Sequence, residues 1–423
     1  MNRLCCLLLL LLAVPAVAQP AVPLDAATFD KLTGYYQLPQ ALRPNTVVTV
    51  SREGEHFFVQ LTRQPAREIL AESPTSFFMQ GLPVKISFEL GPDGKATGLV
   101  IHQGGHDGPS PRIDEAAARA IEALPPPKPK GHPMARTWPV MPGIAPRTLT
   151  GSDGNRLDYW PCFSPDGKAV LFSRTTDGGK NWALMRVPAS GGEAVPFFSQ
   201  PLAVSATRAD WGRTGKVVFT GTASDGSSGV WIADGDGRNA HAVTVTGASN
   251  QLFYPSWYPD GKSLAVMDGA SLTTMRVDAS GGAATALTDR AQVMTGMPSV
   301  SPNGSAVVFA GQKNAGQPYN QEENVIWVRT ADGAAPVENP PLQGRAPVWS
   351  PDGKKIAFES DRGGPDARYA VFIFNRDGTG LVQVTDYALN ASHPVWSRDG
   401  KHMVFMAGDP AQKISTVDVI DFP

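Results

Sequence analysis

The stretch Trp160-Pro161-Cys162-Phe163-Ser164-Pro165-Asp166-Gly167 decides how most of this chain is read. Pro165 fixes φ at the second position of a tight turn and Gly167 accepts a positive φ at its end, so the segment reads as a strand entering a hairpin. A strand over residues 168–173 follows at once. The pattern returns at residues 254–261, 297–304, 346–353 and 393–400, with a decayed copy at 208–215. The turn glycines Gly167, Gly215, Gly261, Gly304, Gly353 and Gly400 stand 48, 46, 43, 49 and 47 residues apart. That period matches the roughly 40 to 50 residues of a four-stranded propeller blade and disfavours shorter solenoid repeats.

Each copy holds four strands. An inner strand ends at the Ser-Pro-Asp-Gly turn, and a second strand leaves it, as at Lys354-Lys355-Ile356-Ala357-Phe358-Glu359-Ser360. A third is clearest at Gly229-Val230-Trp231-Ile232-Ala233, followed by a hairpin at Asp234-Gly235-Asp236-Gly237 and a fourth strand of the type Val382-Gln383-Val384-Thr385. The sixth copy has room for only three strands, while Pro146-Arg147-Thr148-Leu149-Thr150 precedes the first inner strand as an orphan fourth. Pairing the two closes the ring and removes an exposed sheet edge. The expected fold is all-β, with a six-bladed propeller over residues 146–423.

Outward from the repeats, the composition agrees. Of 423 residues, 43 are Gly and 38 Pro, which suits short strands and tight turns. Lys+Arg 37 against Asp+Glu 39 gives a net charge of -2, so there is no cationic excess to hold nucleic acid. Pro125, Pro126, Pro127, Pro129, Pro133, Pro139 and Pro142 crowd one stretch, read as a linker over residues 125–145. Before it, residues 19–124 alternate apolar and polar, as in Val84-Lys85-Ile86-Ser87-Phe88-Glu89-Leu90, with turns at Gly54 and at Gly91-Pro92-Asp93-Gly94. A small antiparallel β domain is expected there, closed by a helix over residues 114–124.

Residues 1–18 read as a secretory signal. Arg3 precedes an apolar run from Leu4 to Val14, and Ala16-Val17-Ala18 offers the small-x-small pattern for cleavage after Ala18. No later stretch reaches the roughly 20 apolar residues of a membrane span. Cys5 and Cys6 leave with the signal, so Cys162 stands alone and is read as a buried apolar residue. The expected compartment is the periplasm, with envelope association possible.

The repeats resemble those of the TolB family of periplasmic propeller proteins, over about two-thirds of the chain. That likeness implies fold, compartment and a bias toward binding macromolecules; the mixed α/β N-terminal domain of TolB proteins has no counterpart here. Gly34-Tyr35-Tyr36, Phe57 to Leu61, Ser76-Phe77-Phe78, Ile86-Ser87-Phe88 and His102-Gln103-Gly104-Gly105 resemble the small β domain, of uncharacterised role, appended to β-lactamase-like serine hydrolases. No Ser is followed three residues later by Lys, so the hydrolase chemistry does not follow from that likeness. Propellers of this kind also precede prolyl oligopeptidase-like catalytic domains, but no Gly-x-Ser-x-Gly elbow is present.

Metal chemistry finds little support. His102 and His106 flank Gly104 and Gly105 and read as a strand end entering a turn. Asp234, Asp236 and Asn239 lack the downstream Glu of a calcium loop. No cofactor is expected. The better candidate comes from strand order: the Ser-Pro-Asp-Gly hairpins lie on one face, so the inner strands begin on the other, beside the channel. Tyr159, Trp160, Arg208, Phe253, Tyr254, Met297, Arg345 and His393 fall there, a set rich in residue types enriched at binding hot spots. The loop over residues 311–324, with Tyr319, Glu322 and Glu323, overhangs the same mouth. The expected function is non-enzymatic binding or scaffolding through this mouth, the partner being a protein, a peptide or a glycan. The alternative is a lyase acting on acidic oligosaccharides, with His393 as its best-placed group.

Overall fold

The hairpin prescription written along the sequence closes into a ring in the structure, a computed structural model. It describes residues 22–39, 45–64, 66–79, 84–103, 106–124 and 139–422, apart from 178, 180, 225, 317, 318, 338–341 and 410–412. The expected signal segment lies outside the described residues, as does most of the proline-rich stretch. The chain divides into two compact units, with the break between residues 127 and 128.

The first unit is a closed antiparallel barrel of eight strands: β1 (Gly34–Gln37), β2 (Val47–Glu53), β3 (His56–Leu61), β4 (Arg67–Ser73), β5 (Ser76–Phe78), β6 (Val84–Leu90), β7 (Ala96–Gln103) and β8 (His106–Ile113). Closure runs through Tyr35 paired with Ile113 and Tyr36 with Arg112. The alternation seen in the sequence puts Val48, Val50, Val59, Ile69, Phe77, Ile86, Phe88 and Leu99 inside. A short helix that the sequence did not announce, α1 (Ala26–Asp30), adds Phe29, whose ring stacks on Phe57 at 4.0 Å. The expected second helix is α2 (Glu115–Ala123), capped by the Asp114 carboxylate, which accepts the Ala117 N–H at 2.7 Å.

The second unit is a propeller of six four-stranded antiparallel blades. In blade 1, Leu157–Phe163, Ala169–Thr175, Ala183–Pro188 and Val195–Pro196 run from the axis outward. The inner strands of blades 2 to 6 are Ser205–Trp211, Leu252–Trp257, Val293–Val300, Arg345–Trp349 and Ser392–Trp396. The hairpin turn is held by its own side chains: the Ser164 hydroxyl donates to Asp166 at 2.6 Å and accepts the Ala169 N–H at 2.9 Å. Ser350 repeats this with Asp352 and Lys355, and Ser397 with Asp399 and His402. The turn glycines take φ of 66–83°, the left-handed region that other residues enter at a cost.

Ring closure is as the chain ends imply. Arg147–Thr148 pairs with the last strand, Ile414–Asp421, as the fourth strand of blade 6. Leu149 is buried among Val404, Val417 and Val419. The end of the proline-rich stretch belongs to this unit: the Met141 N–H donates to the Gln383 carbonyl, and the Gln383 N–H to that of Pro139, both at 2.8 Å. Cys162 is buried, and burial pushes its thiol upward.

Candidate functional site: the channel mouth

Every inner strand carries the same irregularity. Pairing with the second strand slips between Tyr159 and Cys162, Thr207 and Asp210, Phe253 and Ser256, Gly296 and Ser299, Arg345 and Val348, and Ser392 and Val395. Proline explains why in five blades: Pro161, Pro255, Pro298, Pro347 and Pro394 have no N–H to give the ladder. The residue before each takes a left-handed conformation, with φ of 51° at Trp160, 52° at Tyr254, 55° at Met297, 46° at Ala346 and 52° at His393. Arg208 does the same at 51°, although Ala209 follows it. A non-glycine residue held there costs about 1–3 kcal/mol, and bulges of this kind re-aim side chains.

The eight sequence-derived residues are all half-buried. Several meet across blade boundaries. The Arg208 guanidinium lies 4.1 Å from the Trp160 ring centre, 4.4 Å from that of Tyr254 and 5.9 Å from that of Phe253. Trp160 faces His393 at 6.3 Å and packs with Tyr159 at 5.3 Å and with Trp182 at 5.0 Å. Blades 6, 1, 2 and 3 therefore share one continuous aromatic and cationic arc. Met297 holds the equivalent place on blade 4, and Ala346, which sequence reasoning passed over for its neighbour Arg345, holds it on blade 5.

Arg345 belongs to a buried ionic network. Its Nε lies 3.0 Å from Glu359 Oε1 and its Nη1 2.9 Å from Glu322 Oε1. Tyr369 donates its hydroxyl to Glu322, and its ring lies 4.4 Å from the Arg345 guanidinium. Glu359 is fully buried, and its second oxygen accepts the His393 N–H at 2.6 Å. Burial alone would raise this carboxyl, but His393, Arg345 and that N–H outweigh it and hold it below the usual range. Burial lowers His393, Arg345 and Arg208 lower it further, and Glu359 opposes them, so the imidazole is kept neutral more readily than usual. Neither ring nitrogen makes a hydrogen bond, although Nδ1 lies 3.2 Å from Glu359 Oε2. The loop after blade 4's second strand does reach the mouth, through Glu322 and through Tyr319, whose hydroxyl accepts the Asn324 amide at 2.9 Å. Gly311 belongs to the strand Val307–Lys313, so that loop is shorter than expected.

The hairpin end of the channel forms a cavity of about 180 Å³, to which each blade contributes the last two residues of its inner strand, among them Cys162, Asp210, Ser256, Ser299, Val348 and Val395. Burial raises the Asp210 carboxyl, which accepts the Trp257 N–H at 2.7 Å.

On the barrel, Ser87 Oγ lies 2.7 Å from His102 Nε2, and His102 Nδ1 lies 2.6 Å from Asp107 Oδ1. This has the connectivity of a hydrolase triad but not its surroundings. Ser87 is in register with Ser76 on one side and Val100 on the other, so the sheet ladders engage the backbone that an oxyanion hole would need. Among the described residues no three His, Cys, Asp or Glu side chains converge as a metal site.

Residues 152–335 match the TolB beta propeller domain, and residues 18–117 match a domain of unknown function, DUF3471. No curated protein matches the chain. Among solved structures, a TolB candidate from Agrobacterium tumefaciens is 20% identical, covering 63% of this chain and 91% of its own, with a TM-score of 0.48. TolB from Acinetobacter baumannii is 14% identical over 79% and 78%, at 0.44. Oligogalacturonate lyase from Vibrio parahaemolyticus is 12% identical over 66% and 97%, at 0.42.

Proposed function

We propose that this protein, a TolB-like six-bladed propeller preceded by a small β barrel, is an exported periplasmic binding or scaffold protein that engages a protein, peptide or glycan partner at the channel mouth. One observation carries the reading: all six blades hold a non-glycine residue at positive φ in the same inner-strand position. A cost repeated six times at one rim, and absent from the hairpin turns where glycine serves, fits selection for what those side chains present. Trp160, Tyr254 and Arg208 are hot-spot types and Met297 is a type enriched at interfaces, and all four are half-buried, as anchor residues need to be. The test is photo-cross-linking in cells, with benzoylphenylalanine at Met297 on the mouth or at exposed Lys354 on the hairpin face. A discrete adduct from Met297 alone is expected; equal labelling from both faces, or none, counts against the mouth. Fractionation of the same cells tests export.

The lyase reading keeps one specific support, the His393 imidazole close to Arg208, whose ring nitrogens make no hydrogen bond and whose burial favours the neutral form. A neutral imidazole is the form that abstracts a proton. Turnover of polygalacturonate by purified protein, abolished in His393→Ala, would establish it.

A further inference from the structure

We infer that the ligand of this mouth presents a carboxylate to Arg208, and that its class is an acidic side chain on an extended peptide; this rests on the mouth being the binding site. The charges at the rim are unequal in their partners. Arg345 is answered by both Glu322 and Glu359. Arg208 is answered by none: among the described residues its side chain has no ion pair and no hydrogen bond, and its Nε is shut from solvent without an acceptor. The rings beside it attract the guanidinium but accept none of its N–H groups, so its hydrogen-bonding capacity is left unmet within the chain.

Its orientation is nevertheless fixed. The rings of Trp160 and Tyr254 hold the guanidinium at 4.1 and 4.4 Å, so little side-chain freedom is left to lose on binding. Covered by rings, a planar guanidinium keeps its in-plane N–H groups for an acceptor, and a carboxylate matches that fork with two parallel hydrogen bonds. His393 packs against the same Trp160 and turns its Nδ1 to within 3.2 Å of Glu359 Oε2, which leaves Arg208 as the group facing a ligand carboxylate. A phosphate dianion fits less well, because Glu322 and Glu359 already consume the charge of Arg345. A sugar also fits less well: the aromatic surface of Trp160 and Tyr254 on which it would stack is engaged by Arg208.

The test uses the full mature chain and fluorescein-labelled Gly-Phe-Asp-Phe-Gly, its Asn counterpart and its phosphoserine counterpart, read by fluorescence anisotropy, with trigalacturonate as competitor. The Asp probe is expected to bind at least tenfold tighter than the Asn probe. In Arg208→Gln that preference falls below twofold, while Arg208→Lys, which keeps charge but loses the fork, retains part of it. Should Arg208→Gln fail to fold, Arg208→Lys still decides, since an undiminished Asp preference there rules out the fork. Equal binding of Asp and Asn, or a preference unchanged in Arg208→Gln, overturns the inference. Tighter binding of phosphoserine or of trigalacturonate overturns the ligand class. Cross-linking from Met297 without any acidic preference leaves the mouth standing as a binding site and removes only this assignment.

Discussion

Glu359 shows how the mouth is balanced at the scale of one residue. It is fully buried, charged, and held by Arg345 and by the His393 N–H. Removing one partner of such a pair typically costs about 3–5 kcal/mol, so Arg345 supports the rim's structure as well as any ligand. The sequence carried a signal for this that was easy to pass over, one Glu at the end of the apolar run Ile356-Ala357-Phe358. The second carboxylate on Arg345, Glu322, was legible only as part of the long blade 4 loop expected to overhang the mouth; its pairing with an arginine of the next blade has no local signature. The pH dependence follows from the directions of shift. His393 and Glu359 both lie below their ordinary values in the folded state, so the unfolded chain binds more protons and stability falls with acid. The His393 part is fully present above its unfolded value of about 6.5 and is lost as pH falls from there toward its lowered folded value. Urea unfolding at pH 7.5 and 5.5 is expected to show a loss in wild type of up to about 1.4 kcal/mol per pH unit beyond that in His393→Gln. Parallel losses in the two proteins would mean that His393 is not buried neutral.

At the scale of the element, hairpins were legible and bulges were not. A Ser-Pro-Asp-Gly turn is written in consecutive residues, each with a local reason, and six spaced copies gave the strand order of every blade. The left-handed residue of each inner strand has no such local signature, since Trp160, Arg208, Tyr254, Met297, Ala346 and His393 share no chemistry. Only the following proline hinted at a break in the ladder, and it does not specify which conformation fills the break. The same contrast predicts two different glycine substitutions. Gly167 and Gly237 both sit at positive φ, at 71° and 81°. A Cβ on Gly167 would meet nothing within 4 Å, whereas one on Gly237 would lie 2.1 Å from the Phe197 carbonyl oxygen. Gly167→Ala is therefore expected to cost about 1–2 kcal/mol, the left-handed penalty alone. Gly237→Ala adds a backbone clash and should exceed about 3 kcal/mol. Similar urea midpoints for the two variants would show that the outer hairpin of blade 2 yields freely.

At the scale of the whole propeller, a single strand pairing fastens the segment leading into blade 1 to the last strand of blade 6. Thr148 is in register with Asp418, and their side chains meet at 3.2 Å across 270 positions of sequence. The neighbouring Leu149 N–H donates to Val417, which makes Thr148 and Asp418 a non-hydrogen-bonded pair. Cα atoms in such pairs lie about 4.5 Å apart, within the range a disulfide spans. Asp418 loses little by replacement, because burial already raises its carboxyl and makes its charge costly there. Thr148→Cys combined with Asp418→Cys should therefore form a closing disulfide, with the buried Cys162 unable to compete for either thiol. Constraining so long a loop in the unfolded chain is expected to stabilise the propeller by about 2–4 kcal/mol. Thermal melts of the oxidised protein should shift upward and return on reduction. If the bond forms, as free-thiol titration would show, and the melting temperature does not move, the blades unfold without first separating at this seam. The first cooperative opening would then lie at another blade boundary.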